Sequence, residues 1–216
     1  WKLFANANTS FGSMQYFQLT KGGNGNQPAP GLTAEKARTY EFGTRYDDTV
    51  VKAEATLFYI DFDNQLQYIS NDVGWTNMGA TKHKGIELAL SYDLSELNRA
   101  LDGASVYTSY TYTKASTDKG DFAGKDLPFY SRQVYTVGTR YATGSWVWNL
   151  DGYAQSKQHS PGTGPEYITQ ESADGQFGNI AGYMVWNMRG EYNFGPQLSN
   201  LTLGAGVKNL FDQRYF

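Results

Sequence analysis

The sequence predicts an all-β chain, an antiparallel segment of a transmembrane β-barrel with long loops at one end and short turns at the other. Three observations point there. Apolar and polar residues alternate with period 2 over runs of ten residues or more. Connections between these runs are short and long by turns. The chain holds 17 Tyr, 12 Phe and 5 Trp, yet its mean hydropathy is −0.56. Many aromatics on a polar background suit a barrel in which only the lipid-facing row of each strand is apolar and aromatic girdles mark the two interfaces.

Nine strands are predicted, near 2–10, 38–47, 50–62, 81–94, 104–117, 132–142, 145–157, 182–195 and 199–213. In the fourth, Ile86, Leu88, Leu90 and Tyr92 form one row and Gly85, Glu87, Ala89 and Ser91 the other. In the fifth, Val106, Tyr110 and Tyr112 alternate with Ser105, Ser109, Thr111 and Thr113. Trp146, Trp148 and Leu150 supply the apolar row of the seventh, Met184, Trp186, Met188 and Tyr192 that of the eighth, and Leu201, Leu203, Ala205 and Val207 that of the ninth. Strands of soluble domains cluster near 5–6 residues, whereas a tilted strand crossing a bilayer needs about 9–11.

Tight turns are expected at Asp47-Asp48-Thr49, Thr143-Gly144 and Gly195-Pro196-Gln197, with a longer link from Leu94 to Gly103. The intervening Gly/Asn/Pro-rich loops cover 11–37, 63–80, 118–131 and 158–181. Loops this long are uncommon inside compact domains. In outer-membrane barrels they lie outside the cell. A soluble β-sandwich also alternates, but with shorter strands and more even loops.

The chain opens at Trp1 with no signal peptide and ends at Phe216 inside an expected strand. Nine strands leave two open edges, which a bilayer does not tolerate, so 1–216 is expected to be the C-terminal part of a larger barrel. Cysteine is absent, which excludes disulfides and thiolate metal sites. A net charge of −3 gives no reason to expect nucleic-acid binding.

No catalytic set is evident. The two histidines, His83 and His159, lie in or beside different loops without metal-ligand spacing, and Ser160 beside His159 lacks triad geometry. Asp118, Asp121 and Asp126 share one loop but lack the spacing of a calcium loop. No enzyme activity, cofactor or resident metal is expected. The row opposite the apolar one carries Glu41, Arg45, Lys52, Glu54, Glu87, Arg140, Asp151, Arg189, Glu191 and Lys208. In a barrel this row lines the wet lumen, where ion pairs lock strands or hold a plug. Recognition is expected in the loops, where Gln15, Gln67, Asn71 and Trp75 are the candidate ligand contacts. Amides donate to carboxylate oxygens and an indole covers a carbon skeleton.

Three stretches resemble the TonB-dependent outer-membrane receptors. Gly206-Val207-Lys208-Asn209-Leu210-Phe211-Asp212-Gln213-Arg214-Tyr215 is similar to the family's G-x-x-N-L-F-D-x-x-Y pattern. Glu35 with Tyr40-Glu41 and Gly43 resembles its PE-x-x-x-x-YE-x-G segment, with Ala34 in place of Pro. Asn77 and Gly79 followed by Lys84-Gly85-Ile86-Glu87 resembles its N-x-G … x-G-x-E segment. A narrower similarity, to receptors for ferric citrate, rests on Ser10 to Tyr16, Glu171 to Gly175 and Phe194 to Gln197.

The resemblance implies a barrel of about 22 strands around an N-terminal plug, with the plug, early strands and last strand outside 1–216. It further implies a Gram-negative outer-membrane receptor that imports a ferric chelate or siderophore, ferric citrate in particular. Its partners would be the chelate, outer-membrane lipid and TonB, the last through the N-terminal segment. A passive porin and a β-rich surface binding module are the alternatives. The anionic chelate would call on cations near the loop side: Lys21, Lys36, Arg38, Lys82, Lys84, Lys119, Lys125 and Arg132.

Overall fold

The computed structural model describes residues 1–15, 18–19, 31–70, 74–77, 79–119, 123–160 and 178–215. Within them the strands are Lys2–Gly12 (β1), Glu35–Asp47 (β2), Val51–Asp63 (β3), Leu66–Ser70 (β4), Gly74–Asn77 (β5), Thr81–Asp93 (β6), Ala104–Thr117 (β7), Gln133–Thr143 (β8), Trp146–Gln155 (β9), Gln158–Ser160 (β10), Gly178–Ile180 (β11), Tyr183–Asn193 (β12) and Thr202–Val207 (β13). Nine of them form one antiparallel sheet in the order β1-β2-β3-β6-β7-β8-β9-β12-β13. Each strand pairs with the next long one along the chain, so the sheet is an open up-and-down meander.

The nine expected strands are therefore present, and the fifth, 104–117, coincides with β7. Two expectations are corrected. The segments 63–80 and 158–181 are not plain loops, because β4 pairs with β5 and β10 with β11 as short antiparallel ribbons. The last strand does not run over 199–213 but only over the 6 residues of β13. Ser199 and Asn200 precede it at φ of 53° and 58°, and Asn209 and Asp212 follow it at 51° and 49°. Left-handed residues cannot continue a pleated ladder, and Asn and Asp adopt that region more readily than most side chains. Asn209 also folds the chain back on itself. Its amide donates to the Gln213 carbonyl and accepts from the Gln213 N–H, both at 2.9 Å.

The register sorts the side chains into two faces. One cross-strand row runs Leu3, Thr44, Ala55, Leu88, Tyr110, Tyr135, Ala154, Met184. A parallel row runs Tyr46, Ala53, Leu90, Thr108, Val137, Gly152, Trp186. Most large exposed apolar side chains of the strands share this face, among them Phe42 at 57% exposure and Leu203 at 58%. The other face carries Asn6, Glu41, Arg45, Glu54, Glu87, Thr111, Arg140, Asp151, Arg189 and Glu191. Apolar outside and polar inside is the pattern of a barrel wall. Rings cluster at the short-turn end of the apolar face, where Trp146 stacks on Trp148 at 5.2 Å and meets Tyr192 at 4.7 Å.

Glycines pair with aromatic residues across the ladder. Phe4 lies opposite Gly43, Phe58 opposite Gly85, Tyr107 opposite Gly138, Trp186 opposite Gly152 and Trp148 opposite Gly190. In each pair the ring covers the glycine so closely that an added Cβ would press on it. At Gly85 that Cβ would also strike the Tyr112 carbonyl. The rings shield backbone that a glycine leaves bare.

The turn between β2 and β3 depends on Asp48. Its carboxylate accepts the N–H groups of Val50 at 2.8 Å and Val51 at 2.6 Å and the Tyr46 hydroxyl. These bonds, the Tyr46 hydroxyl first, hold the carboxyl below its ordinary range.

The face assignment predicts that Leu88→Arg destabilises the receptor in bilayers by about 2–4 kcal/mol if the site lies near the midplane. Thr111→Arg, opposite Glu87 on the polar face, should stay close to wild type. Urea unfolding into lipid vesicles measures both. For Asp48, a depressed folded pKa means stability that is complete above the unfolded value and lost as pH falls through the folded one. Unfolding curves should therefore show the difference between wild type and Asp48→Ala shrinking as the medium is acidified from neutral to below the carboxylate range.

Candidate functional site

The long-loop end of the sheet is tied together by side chains from the motif segments. Asn77, the last residue of β5, uses its whole amide. Its oxygen accepts the Thr33 N–H at 2.9 Å and the Thr33 hydroxyl at 3.3 Å, and its nitrogen donates to the carbonyls of Thr33 at 3.0 Å and Asn64 at 2.6 Å. Glu35, the first residue of β2, accepts the Leu66 N–H at 2.6 Å. Thr81, fully buried, donates to the Gln65 side chain at 2.6 Å. The chain before β2 and the β4–β5 ribbon are thus clamped to one another and to the rim.

The rim continues around the sheet. Asp118 donates its N–H to the Ala80 carbonyl at 2.8 Å and pairs with Lys82 at 2.5 Å. The Tyr130 hydroxyl both accepts from and donates to the Ala115 backbone at 3.1 Å. Burial raises the Tyr130 pKa, which keeps the phenol protonated as a donor. Phe129 donates its N–H to the His159 carbonyl at 2.8 Å, and Ser131 bonds the Ser156 carbonyl at 2.8 Å. Asp126 pairs with Arg132. Asp118 and Asp126 are therefore occupied by cations, and Asp121 lies outside the described residues.

Beside this belt a groove of about 390 Å³ opens among Tyr130, Arg132, Lys157, Gln158, His159 and Asn179. The sequence offered little sign of it, because its walls come from the segment before β8, the residues after β9 and the β10–β11 ribbon. Lys157, amides and the Arg132–Asp126 pair line it, and its size suits a small ligand.

The candidate contact residues are placed as follows. Gln15 is exposed, and its N–H donates to the Gln18 side chain at 2.7 Å. Gln67 lies in β4 opposite Thr76, and its side chain is outside the described set; Trp75 lies in β5 opposite Tyr68 and is half-buried. This register puts positions 67 and 75 on opposite faces of the ribbon. Asn71 lies outside the described residues.

Several charges of the polar face are paired between or along strands. Arg45 meets Glu54 at 2.8 Å, Arg189 meets Glu191 at 2.8 Å and Lys52 meets Asp47 at 3.8 Å. Asn187 donates to Asp151 at 2.8 Å and accepts the Asn209 N–H at 3.0 Å, which ties the NLFD segment to two strands. Exposed pairs of this kind contribute little each. No group of three His, Asp or Glu among the described residues could hold a metal. His83 packs edge-on to Phe62 at 5.2 Å with a ring nitrogen 3.2 Å from the Thr81 hydroxyl.

Asn77→Ala removes the only side chain bridging Thr33 and Asn64 among the described residues. Hydrogen exchange at the Thr33 amide should then accelerate about tenfold, the effect of roughly 1.4 kcal/mol, while amides in the middle of β2 and β3 keep wild-type protection.

The family profile described as TonB dependent receptor-like, beta-barrel, matches residues 1–210. The structure of the ferric citrate transporter FecA in its unliganded form is 41% identical with a TM-score of 0.79, over 99% of this chain and 32% of that one. The copper transporter OprC is 22% identical with a TM-score of 0.76, over 99% and 32%. The metal-pseudopaline receptor CntO of Pseudomonas aeruginosa (strain UCBPP-PA14) is 26% identical over 99% of this chain and 28% of its own length. The chain thus spans 28% to 32% of the length of these relatives. Members of the family are receptors of the Gram-negative outer membrane. With a two-faced antiparallel wall, motif residues that clamp its rim and a profile match over 1–210, the chain belongs to the β-barrel domain of the TonB-dependent receptors.

Proposed function

We propose that this barrel segment serves in TonB-dependent uptake of a ferric chelate, and that the chelate is ferric citrate. The observation that carries the reading is the 41% identity to the ferric citrate transporter over 99% of the chain. Receptors whose names give other cargo are less similar, 22% for copper and 21% for ferric enterobactin. The rim chemistry supports the same reading. A compact anionic chelate presents carboxylate and hydroxyl oxygens, and the groove offers Lys157, Gln158 and Asn179 beside the Arg132–Asp126 pair in a volume of about 390 Å³.

In this reading the long-loop end faces outward and receives the chelate. Gln15 and Asn71 donate amide hydrogens from their loops. The β4–β5 ribbon presents Gln67 from one face or Trp75 from the other. The remaining strands and the plug belong to the rest of the receptor, and energy delivered through TonB remodels the plug. Glu87 and Arg140 line the polar face without an ion-pair partner within 4.0 Å among the described residues, so they are available to hold that plug.

Calorimetry on the full-length receptor tests the cargo. Ferric citrate should bind, and ferric enterobactin and a metal–pseudopaline complex should not; the reverse preference removes the citrate assignment. Each neutral hydrogen bond contributes about 0.5–1.5 kcal/mol, so Gln67→Ala and Asn71→Ala should each weaken ferric citrate roughly 2- to 13-fold. Wild-type affinity in both would show that these side chains face only water.

A further inference from the structure

The groove beside Tyr130 suits an anion in all but one of its side chains. Asp126 is the one acid among its described lining residues, and it lies on the Arg132 guanidinium. The backbone delivers it there. Thr117 donates its N–H to the Lys125 carbonyl at 2.9 Å, Gly124 donates to the Thr117 carbonyl at 2.8 Å, and Leu127 donates to the Ala115 carbonyl at 3.0 Å. Asp126 itself bridges Ser116. Arg132 is held by the same strand, since its carbonyl accepts the Thr113 N–H at 2.8 Å. Both residues are thus fixed to β7 through the main chain, and the segment does not need the ion pair to stay in place. Both side chains remain open to water, with 48% of Arg132 and 35% of Asp126 exposed. An exposed pair of this kind is weak, so it can be exchanged without unfolding its surroundings. In the same groove, Lys157 is exposed and has no carboxylate within 4.0 Å among the described residues.

We propose that Asp126 competes with the cargo for Arg132: it occupies the guanidinium in the empty groove, and a carboxylate of an anionic ferric chelate takes its place. A guanidinium presents its donors in a planar fork that fits either carboxylate, so the exchange leaves Arg132 paired before and after. The displaced Asp126 turns to water, which its exposure allows. Lys157 supplies attraction for which the cargo meets no internal rival. Competition of this kind sets specificity. A neutral ligand has nothing with which to displace a carboxylate and meets a closed ion pair. The inference rests on the cargo reading above and assigns Asp126 a role in that same groove.

Calorimetry on the full-length receptor with ferric citrate tests the exchange. Removing a competitor strengthens binding, so Asp126→Asn should bind roughly two- to fivefold more tightly than wild type. Asp126→Glu should restore wild-type affinity. Arg132→Gln should bind at least about tenfold more weakly, the loss of a charge-assisted hydrogen bond. The gain from Asp126→Asn should shrink in the Arg132→Gln background, because both residues act on one site. Glu96→Gln, an equal change of net charge on the exposed link at the short-turn end, should bind as wild type does. Salt separates competition from a merely structural effect. In wild type one carboxylate replaces another, whereas in Asp126→Asn the cargo meets an unpaired guanidinium, so the affinity of the variant should fall more steeply with ionic strength. Where Asp126→Asn does not fold, Asp126→Ser is read instead, with the same expected gain. Wild-type or weaker binding by the folded variant overturns the competition, and an equal gain in Glu96→Gln overturns it by reducing the effect to net charge. Failure of the wild type to bind ferric citrate is a different result, which removes the cargo reading and the exchange with it.

Discussion

A backbone amide in hydrocarbon has no water to bond, so every strand that crosses a bilayer must be paired along its length on both sides. The long ladders of this chain answer that constraint. Eight of the nine sheet strands run 10 to 14 residues, and each inner strand is bonded to two neighbours. Once the ladders are continuous, alternation does the rest. A single-residue slip in any one strand would carry its charged row into lipid, so Leu88 on one face and Glu87 on the other fix the register between them. The aromatic–glycine pairs belong to the same economy of backbone: where glycine leaves the ladder uncovered, a ring from the adjacent strand lies over it, as Phe58 does at Gly85.

In the proposed reading, recognition belongs to the one end where the constraint relaxes. Above the bilayer the chain meets water, and its connections lengthen. Length alone would give loose loops, and the motif residues prevent that. Asn77 and Glu35 tie the β4–β5 ribbon to the chain before β2, while Tyr130 and Ser131 tie the next segment to β7 and to the end of β9. The family patterns in this chain are thus largely clamps and close approaches rather than ligand contacts. Gly43 and Gly85 sit beneath rings, Asn77 bridges two loops, and Asn209 turns the chain after β13. Such residues can be common to receptors with different cargo, since they shape the rim and leave the loop tips free to vary.

Much of the wall was legible in the sequence. Period-2 rows such as Ile86-Leu88-Leu90 against Glu87-Ala89-Ser91 carry both the strand and its orientation, because lipid and water demand opposite chemistry on alternate residues. The ribbons inside the loops were not legible. At 3 to 5 residues, β4, β5, β10 and β11 are too short for periodicity to emerge from a Gly/Asn-rich background. The end of β13 was hidden for another reason: Leu201 to Phe211 keeps its alternation, but the backbone turns left-handed at Asn209, a choice that hydrophobic pattern does not record. At the rim, cations and amides could be named from their residue types. Their grouping into the groove of Arg132, Lys157 and Asn179 depends on contacts between distant segments, and no local pattern encodes it.

The central claim is that the two faces of one sheet meet lipid and water respectively. The chain has no cysteine, so single cysteines can be placed along β6 from Ile86 to Tyr92 in the full-length receptor reconstituted in bilayers. Labelling with a membrane-impermeant maleimide and quenching of an attached fluorophore by lipid-borne nitroxides measure the two exposures at each site. The account predicts strict alternation, with positions 86, 88, 90 and 92 quenched from lipid and positions 87, 89 and 91 shielded from it and reached from water where space permits. Quenching with a period near 3.6, or lipid quenching of both rows alike, would contradict it.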